Sequence, residues 1–420
     1  MRTAISKRNI FRIYIVLYPL LDIIYTLSEM FNIDIKINQL IRGAMLLYMF
    51  LCIRKQKHFF KTFIYSSWII VSTFINIFVG YTTNAKTELT FSLKMITDIV
   101  VFYCFWEMLD NNIISTDDIF ECMTKSSLIA AISVLLSYIG IGLTSYVSSA
   151  RTGVKGFFTI QSSLTIYLLC MIPIIFVYKK KVFSIDILLV IIALFSIGSK
   201  AGVICTVIML VFIILYTIRK KVLESNVNFK DIIITMIGTI LIPTFGLYYL
   251  NQYITRLKTL YMYAGYYTGI YSFWLSNRNN QISAINLFLR NHNNGKLRGL
   301  LFGYGYTGVQ YMMQKSRDLM AIERDFYGIY YYFGILILLI TTGYLIYILY
   351  AAFKLNITER FKDDRYISML YIWVMGIAYA HLGGHVMYEA LGQFPFWIIG
   401  AMIVSEFKKK KMDIQTWEKV

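Results

Sequence analysis

Apolar runs of membrane-crossing length recur along nearly the whole chain, and nothing else constrains its fold as strongly. A helix needs roughly 20 apolar residues to cross a bilayer. About twelve such runs begin near Phe11, Asn38, Thr62, Leu89, Ser126, Phe158, Val182, Ala201, Asp231, Phe326, Tyr366 and Ala390. The expected class is all-α: a polytopic integral membrane protein with about twelve transmembrane helices and one long extracytoplasmic loop carrying short surface helices. Composition agrees, because only 15% of residues are charged, where a soluble domain carries about 25%. With 17% aromatics, 4 prolines and 5 cysteines, disulfide-rich, collagen-like and disordered classes fall away.

The net charge of +18 would suggest nucleic acid in a soluble protein. Here the basic residues sit in short clusters between apolar runs, as topology signals do, so no nucleic-acid partner is expected. Alternate loops are rich in them: Arg2, Lys7 and Arg8; Arg54, Lys55, Lys57 and Lys61; Lys179, Lys180 and Lys181; Arg219, Lys220, Lys221 and Lys230; Lys354, Arg360, Lys362 and Arg365; and Lys408–Lys411 with Lys419. The intervening short loops offer only Lys36, Lys86, Arg151, Lys155 and Lys200. The positive-inside rule then puts both termini in the cytoplasm, which requires an even number of spans. Residues 1–9 are basic, but the run behind them has full span length and no small-residue cleavage site, so it reads as an anchor. The bias toward Asn, Ile, Lys and Tyr suggests an AT-rich bacterial genome.

Residues 257–275 are apolar enough to mimic a span, yet they hold Lys258, two glycines and five tyrosines. If they crossed, every later loop would invert and the Lys408–Lys411 cluster would lie outside. They read instead as a segment at the membrane surface, where tyrosine is favoured. The chain thus divides into helices 1–9 (residues 1–250), a large outer loop (251–325), and helices 10–12 with a basic tail (326–420). A loop of about 75 residues is far above the usual length and is normally functional or disordered. Its many aromatic and aliphatic residues argue against disorder. None of the cysteines falls in an outer loop, so no disulfide is expected.

The sequence has no phosphate-binding glycine loop, paired-cysteine spacing or His-Glu-x-x-His pattern. His381 and His385 are four apart, with Glu389 one turn further, but polar residues at a helix end explain them better than a metal. Charges inside spans are costly and point to function by default. Asp22, Arg42, Lys94, Asp98 and Asp186 are of this kind; Lys94 and Asp98, spaced i,i+4, can neutralise each other, and Arg42 and Asp186 lie near span ends. The outer loop carries Arg256, Lys258, Arg278, Arg290, Lys296, Arg298, Lys315, Arg317 and Arg324 against Asp318, Glu323 and Asp325. Positive charge on the outer face opposes the topology trend, and an anionic ligand is the simplest reason for it. Contact with anionic lipid headgroups is the plainer alternative. Ile282, Ile285, Phe288 and Leu289 recur at helical spacing, which predicts a short amphipathic helix. Gly303 and Gly305 predict a sharp turn.

Four places resemble the superfamily of O-antigen ligases and of O-antigen and capsular repeat-unit polymerases. Arg151, Gly153, Gly156 and Phe158 look like an arginine, glycine and phenylalanine stretch leading into a span. Residues 198–202, Gly-Ser-Lys-Ala-Gly, resemble a Ser-Arg-Ser/Gly hairpin, with Lys200 where arginine is common. Ser276, Asn277 and Arg278, followed by Gly303-Tyr304-Gly305, resemble parts of the family's outer loop, and Glu323, Arg324 and Asp325 its closing segment. Ligases often show His-Asn there, so the carboxylates tilt the resemblance toward a polymerase of capsule, exopolysaccharide or O-antigen.

The resemblance implies a metal-independent, cofactor-free glycosyltransferase acting on undecaprenyl-pyrophosphate-linked oligosaccharides as donor and acceptor within the bilayer. A flippase and a chain-length regulator are the protein partners it implies. The leaving pyrophosphate needs preorganised cations, for which Arg278, Arg151 and Lys200 are candidates, with Arg324, Gly303 and Gly305 lining the substrate. The acceptor hydroxyl must lose a proton, and Glu323 or Asp325 is placed to take it. A ligase that hands finished glycan to a terminal acceptor shares this donor and site. A lipid-linked oligosaccharide flippase would also have many spans, but transporters typically show internal repeats, and none is evident here.

Overall fold

A computed structural model describes residues 2–33, 37–145, 153–181, 184–223, 278–291, 296–317, 322–382, 384 and 386–417. In chain order the helices are α1 (Arg2–Met30), α2 (Ile37–Cys52), α3 (Gln56–Val79), α4 (Ala85–Asp110), α5 (Thr116–Leu135), α6 (Gln161–Lys179), α7 (Ile185–Ile197) and α8 (Lys200–Leu223). They continue with α9 (Arg278–Asn291), α10 (Lys296–Phe302), α11 (Tyr306–Arg317), α12 (Asp325–Phe333), α13 (Ile335–Thr358), α14 (Asp364–Leu382) and α15 (Ala390–Trp417). A two-stranded hairpin, β1 (Leu143–Thr144) against β2 (Val154–Gly156), is the only sheet among the described residues. Eight of these helices are long and apolar enough to cross a membrane, and α2 and α7 are shorter apolar helices. The protein is an all-α, multi-pass integral membrane protein. Exposed apolar side chains along the spans, such as Phe78, Leu215, Leu339 and Ile346, form the surface that acyl chains solvate.

The chain folds as two compact units. The first comprises Met1–Ile41, Asn112–Tyr266 and Leu355–Met375. Its centre is α5, against which α1, α6 and α7 pack. Ser115 starts α5 with a capping box: its hydroxyl accepts from the Asp118 amide at 3.1 Å, and the Asp118 carboxylate accepts from the Ser115 amide at 3.1 Å. The same carboxylate takes two bonds from Arg8, at 2.8 and 3.0 Å, so the first turn of α5 is also stapled to α1.

The second unit comprises Arg42–Asn111, Tyr267–Lys354 and Gly376–Val420. Here α4 is the central helix, packed by α3 and α15 and buried along most of its second half. Asn84 caps its start through the Thr87 amide at 3.1 Å. Near its end, Glu107 accepts from the amides of Arg54 and Lys55 at 2.8 and 3.0 Å and lies 3.0 Å from His58 Nδ1. These bonds satisfy a buried carboxylate and, with it, the chain entering α3.

The expected starts near Val182 and Asp231 lie outside the described residues; each of the others falls on or beside a helix. The run near Phe326 needs correction: it is broken by Gly334, whose φ of +85 ends the short α12, and the spanning helix is α13. The helix expected from Ser126 starts ten residues earlier, at Thr116, because the capping box lies there. The expected surface segment 257–275 also lies outside the described residues. The amphipathic helix expected around residues 282–289 is α9, which buries Ala284, Ile285 and Phe288.

Candidate active site

The last carbonyls of a helix lack intrahelical partners and carry the negative end of its dipole. At the end of α14 two arginines meet these carbonyls. Arg278 Nη1 donates to Leu382 O at 2.7 Å, and Arg324 Nε donates to His381 O at 3.2 Å. Arg324 Nη2 also lies 3.0 Å from His381 Nε2, and its guanidinium sits 4.5 Å from the centre of the Tyr327 ring. The remaining face of Arg278 turns to Glu323, with Nε donating to Oε2 at 2.7 Å. One turn along α9 from Arg278, Gln281 accepts from the Glu323 amide at 3.0 Å. A single helix end and the first turn of α9 therefore fix both the cation and the carboxylate. The Glu323 side chain is 41% exposed and that of Arg278 17%, so the pair opens to solvent from the carboxylate side.

Asp325 has a different environment. It is fully buried, and its Oδ2 accepts from the amides of Val386 and Met387 at 2.7 and 2.9 Å. Tyr388 donates to Ile322 O at 2.9 Å, so residues 322–325 and 386–388 are stitched together on both sides. Burial pushes the Tyr331 phenol up to about 12 and those of Tyr332 and Tyr388 well above their ordinary value. Tyr304 and Tyr306 shift the same way for the same reason. These phenols are neutral donors at any working pH and cannot serve as bases.

Gly303 and Gly305 form the expected turn, between α10 and α11. Tyr304 N donates to Tyr331 O at 2.7 Å and Gly305 N to Tyr332 O at 3.2 Å, so the turn lies backbone to backbone against α12. Gly305 has φ +75, and a Cβ there would sit 2.7 Å from Glu88 Oε1. Glu88 explains the closeness. It is buried in α4 and accepts from Tyr306 N, Thr307 N and Thr307 Oγ1 at 2.8, 2.9 and 2.9 Å, capping α11 from a distant helix.

The second unit thus brings Arg278, Glu323, Arg324 and Asp325 together, with Gly303 and Gly305 tied to the helix that Asp325 begins. Lys200 is the first residue of α8 in the first unit, directly after Ser199, whose hydroxyl accepts from the Gly202 amide at 2.8 Å. Arg151, His385, Arg256 and Lys258 lie outside the described residues. Lys94 does not neutralise Asp98: it pairs with Glu389 at 3.0 Å, while neither buried Asp98 oxygen completes a hydrogen bond. The i,i+4 spacing allowed the pair, but Glu389 at the start of α15 offers Lys94 a closer partner. Of the histidine–glutamate combination, Glu389 is thus paired with Lys94 and His381 faces the Arg324 guanidinium. Sequence reasoning missed Gln281, Glu88 and the amides of residues 386–387. Only Glu88 had a usable signal, as a carboxylate at a span boundary.

No curated protein matches this chain. Residues 6–257 match a family model described as O-antigen ligase like membrane protein, a stretch that covers well over half the chain and ends before Arg278. The chain belongs to the O-antigen ligase-like family of membrane proteins.

Proposed function

We propose that this protein polymerises undecaprenyl-pyrophosphate-linked oligosaccharide repeat units into a surface polysaccharide at the outer face of the bacterial cytoplasmic membrane. Membership in the family implies glycosyltransferase activity on lipid-linked glycans in general. What carries the finer reading is the Arg278–Glu323 pair, a guanidinium and an accessible carboxylate held 2.7 Å apart on a part of the chain rich in positive charge. The topology that goes with it puts both termini in the cytoplasm and the loop of residues 251–325 outside, as the lysine and arginine distribution supports.

The chemistry needs two groups that change charge in opposite senses. As the donor's anomeric C–O bond breaks, its electron pair goes to the lipid pyrophosphate, and Arg278 stabilises that charge through parallel hydrogen bonds. The acceptor hydroxyl attacks the anomeric carbon with inversion and gives its proton to the Glu323 carboxylate. Incoming pyrophosphate competes with Glu323 for Arg278, so donor binding itself frees the base. In this scheme Asp325, buried and doubly hydrogen-bonded, clamps the loop and does not take the proton. Arg324, held by His381 and Tyr327, lines the same helix end. Arg151 and Lys200 are proposed as anion-binding cations in their own right, and Gly303 and Gly305 as the turn that shapes the substrate surface.

Profiling lipid-linked glycans in a deletion strain tests the assignment. A polymerase leaves single repeat units to accumulate, whereas a ligase leaves finished polymer on its lipid. Finished polymer in the deletion strain rejects polymerisation in favour of ligation.

A further inference from the structure

At the opposite end of α3 from Val79, lysines from distant parts of the sequence meet. Lys57 and Lys61 are spaced i,i+4 in the first turns of α3, so they share one side of it and repel each other. From α15, Lys408 Nζ reaches 3.7 Å from the centre of the Trp106 ring of α4, and that ring lies 4.4 Å from the ring of His58, the neighbour of Lys57 in α3; Asp110 attracts the Lys408 charge, while Lys55, Lys57 and Lys61 oppose it. The nearby carboxylates are already committed. Asp110 takes Lys55 Nζ at 2.7 Å and the Ser405 hydroxyl at 2.8 Å; Glu107 takes two amides and His58; Glu406 lies 3.9 Å from Lys409. Among the described residues no carboxylate pairs with Lys57 or Lys61. Holding like charges together without a counter-charge is unfavourable, and a bound anion resolves it.

The location says which anion. Here α3 begins, α4 ends and the spanning part of α15 ends at Met412, so the cluster lies where three membrane-crossing helices reach the bilayer surface. It lies there whichever side faces the cytoplasm. Trp106 is of the residue type favoured at this depth. We propose that Lys57, Lys61 and Lys408 bind the phosphodiester headgroup of an anionic membrane lipid, in a site separate from the arginine–glutamate pair.

The test uses the full-length protein, purified and delipidated in mild detergent, then titrated in mixed micelles with phosphatidylglycerol or with phosphatidylcholine, and the lipid retained per protein is measured. Wild type should retain the anionic lipid selectively. Selectivity should fall roughly fivefold for each lysine changed to glutamine, in K57Q and K408Q singly and further in the K57Q/K61Q/K408Q triple variant. Changing Lys179, Lys180 and Lys181 to glutamine instead should leave it intact. Equal retention of the two lipids by wild type overturns the proposal whether or not the triple variant folds. So does unchanged selectivity in the single variants, or an equal loss in the control, which would mean a diffuse field. Complete displacement of the lipid by millimolar inorganic phosphate would assign the cluster to a soluble anion and overturn it too.

Discussion

Replacing Arg278 with lysine isolates the fork from the charge. In the resting protein the guanidinium serves two acceptors at once, Glu323 Oε2 and Leu382 O, each at 2.7 Å. A lysine ammonium on a flexible stem cannot hold both acceptors and still present parallel donors to a pyrophosphate. The exchange of partners is cheap for arginine: with Glu323 41% exposed, the pair is worth at most about 1 kcal/mol, or fivefold. Loss of a preorganised donor to developing charge is larger, on the order of 100- to 1000-fold in rate. Arg278→Lys should therefore lose about two to three orders of magnitude, well beyond what a broken surface ion pair explains. The assay is polymer length on gels, with purified protein in proteoliposomes and a synthetic lipid-linked repeat unit as both donor and acceptor. Arg290→Lys, at the exposed end of α9, is the control and should be nearly silent. Equal and mild effects from both changes would refute a specific phosphate fork and leave only a diffuse positive field.

Glu323→Gln should abolish polymerisation with little change in melting temperature, whereas Asp325→Asn should lower the melting temperature. The second change weakens charge-assisted bonds worth about 1.5–3 kcal/mol each at a fully buried position; normal polymer from Glu323→Gln excludes that carboxylate as the base. Gly305→Ala should destabilise the protein by at least about 1–2 kcal/mol, the cost of a left-handed L-residue, because it also crowds Glu88. Gly343→Ala, where a Cβ meets nothing within 4 Å, should not destabilise; comparable melting curves for the two would refute the close approach. In a cysteine-free background, a cysteine at the exposed Asn280 should react with a membrane-impermeant thiol reagent in intact cells; labelling only after lysis would contradict the outer location of the loop.

Much of the helical layout was legible because a bilayer imposes a length on apolar runs, and length survives in sequence. Hydropathy was blind to Gly334, since a single positive φ ends α12 without changing polarity, so the run from Phe326 read as one span. The site was half legible. Arg278, Glu323, Arg324 and Asp325 stand out as charges in an apolar chain, and their types state their chemistry. Which carboxylate is exposed does not, because it depends on two amides more than 60 residues away. Gln281 carried no signal and Glu88 only its charge at a span boundary; the roles of both rest on partners 42 and 219 positions distant, and no local spacing encodes such a meeting.

The clamp on Asp325 sets an order of events during synthesis. Its second partner amide, at Met387, is 62 residues downstream. At about 5–20 residues per second the ribosome takes roughly 3–12 seconds to supply it. Through that interval the carboxylate has no amides to receive it, and Arg278 lacks the Leu382 carbonyl that steadies it. The spanning helix α13 and the helix α14 are made in the meantime. The loop is thus finished from behind, by chain that follows it. A nascent protein halted before Leu382 would hold every charged residue of the arginine–glutamate site and yet be unable to close it.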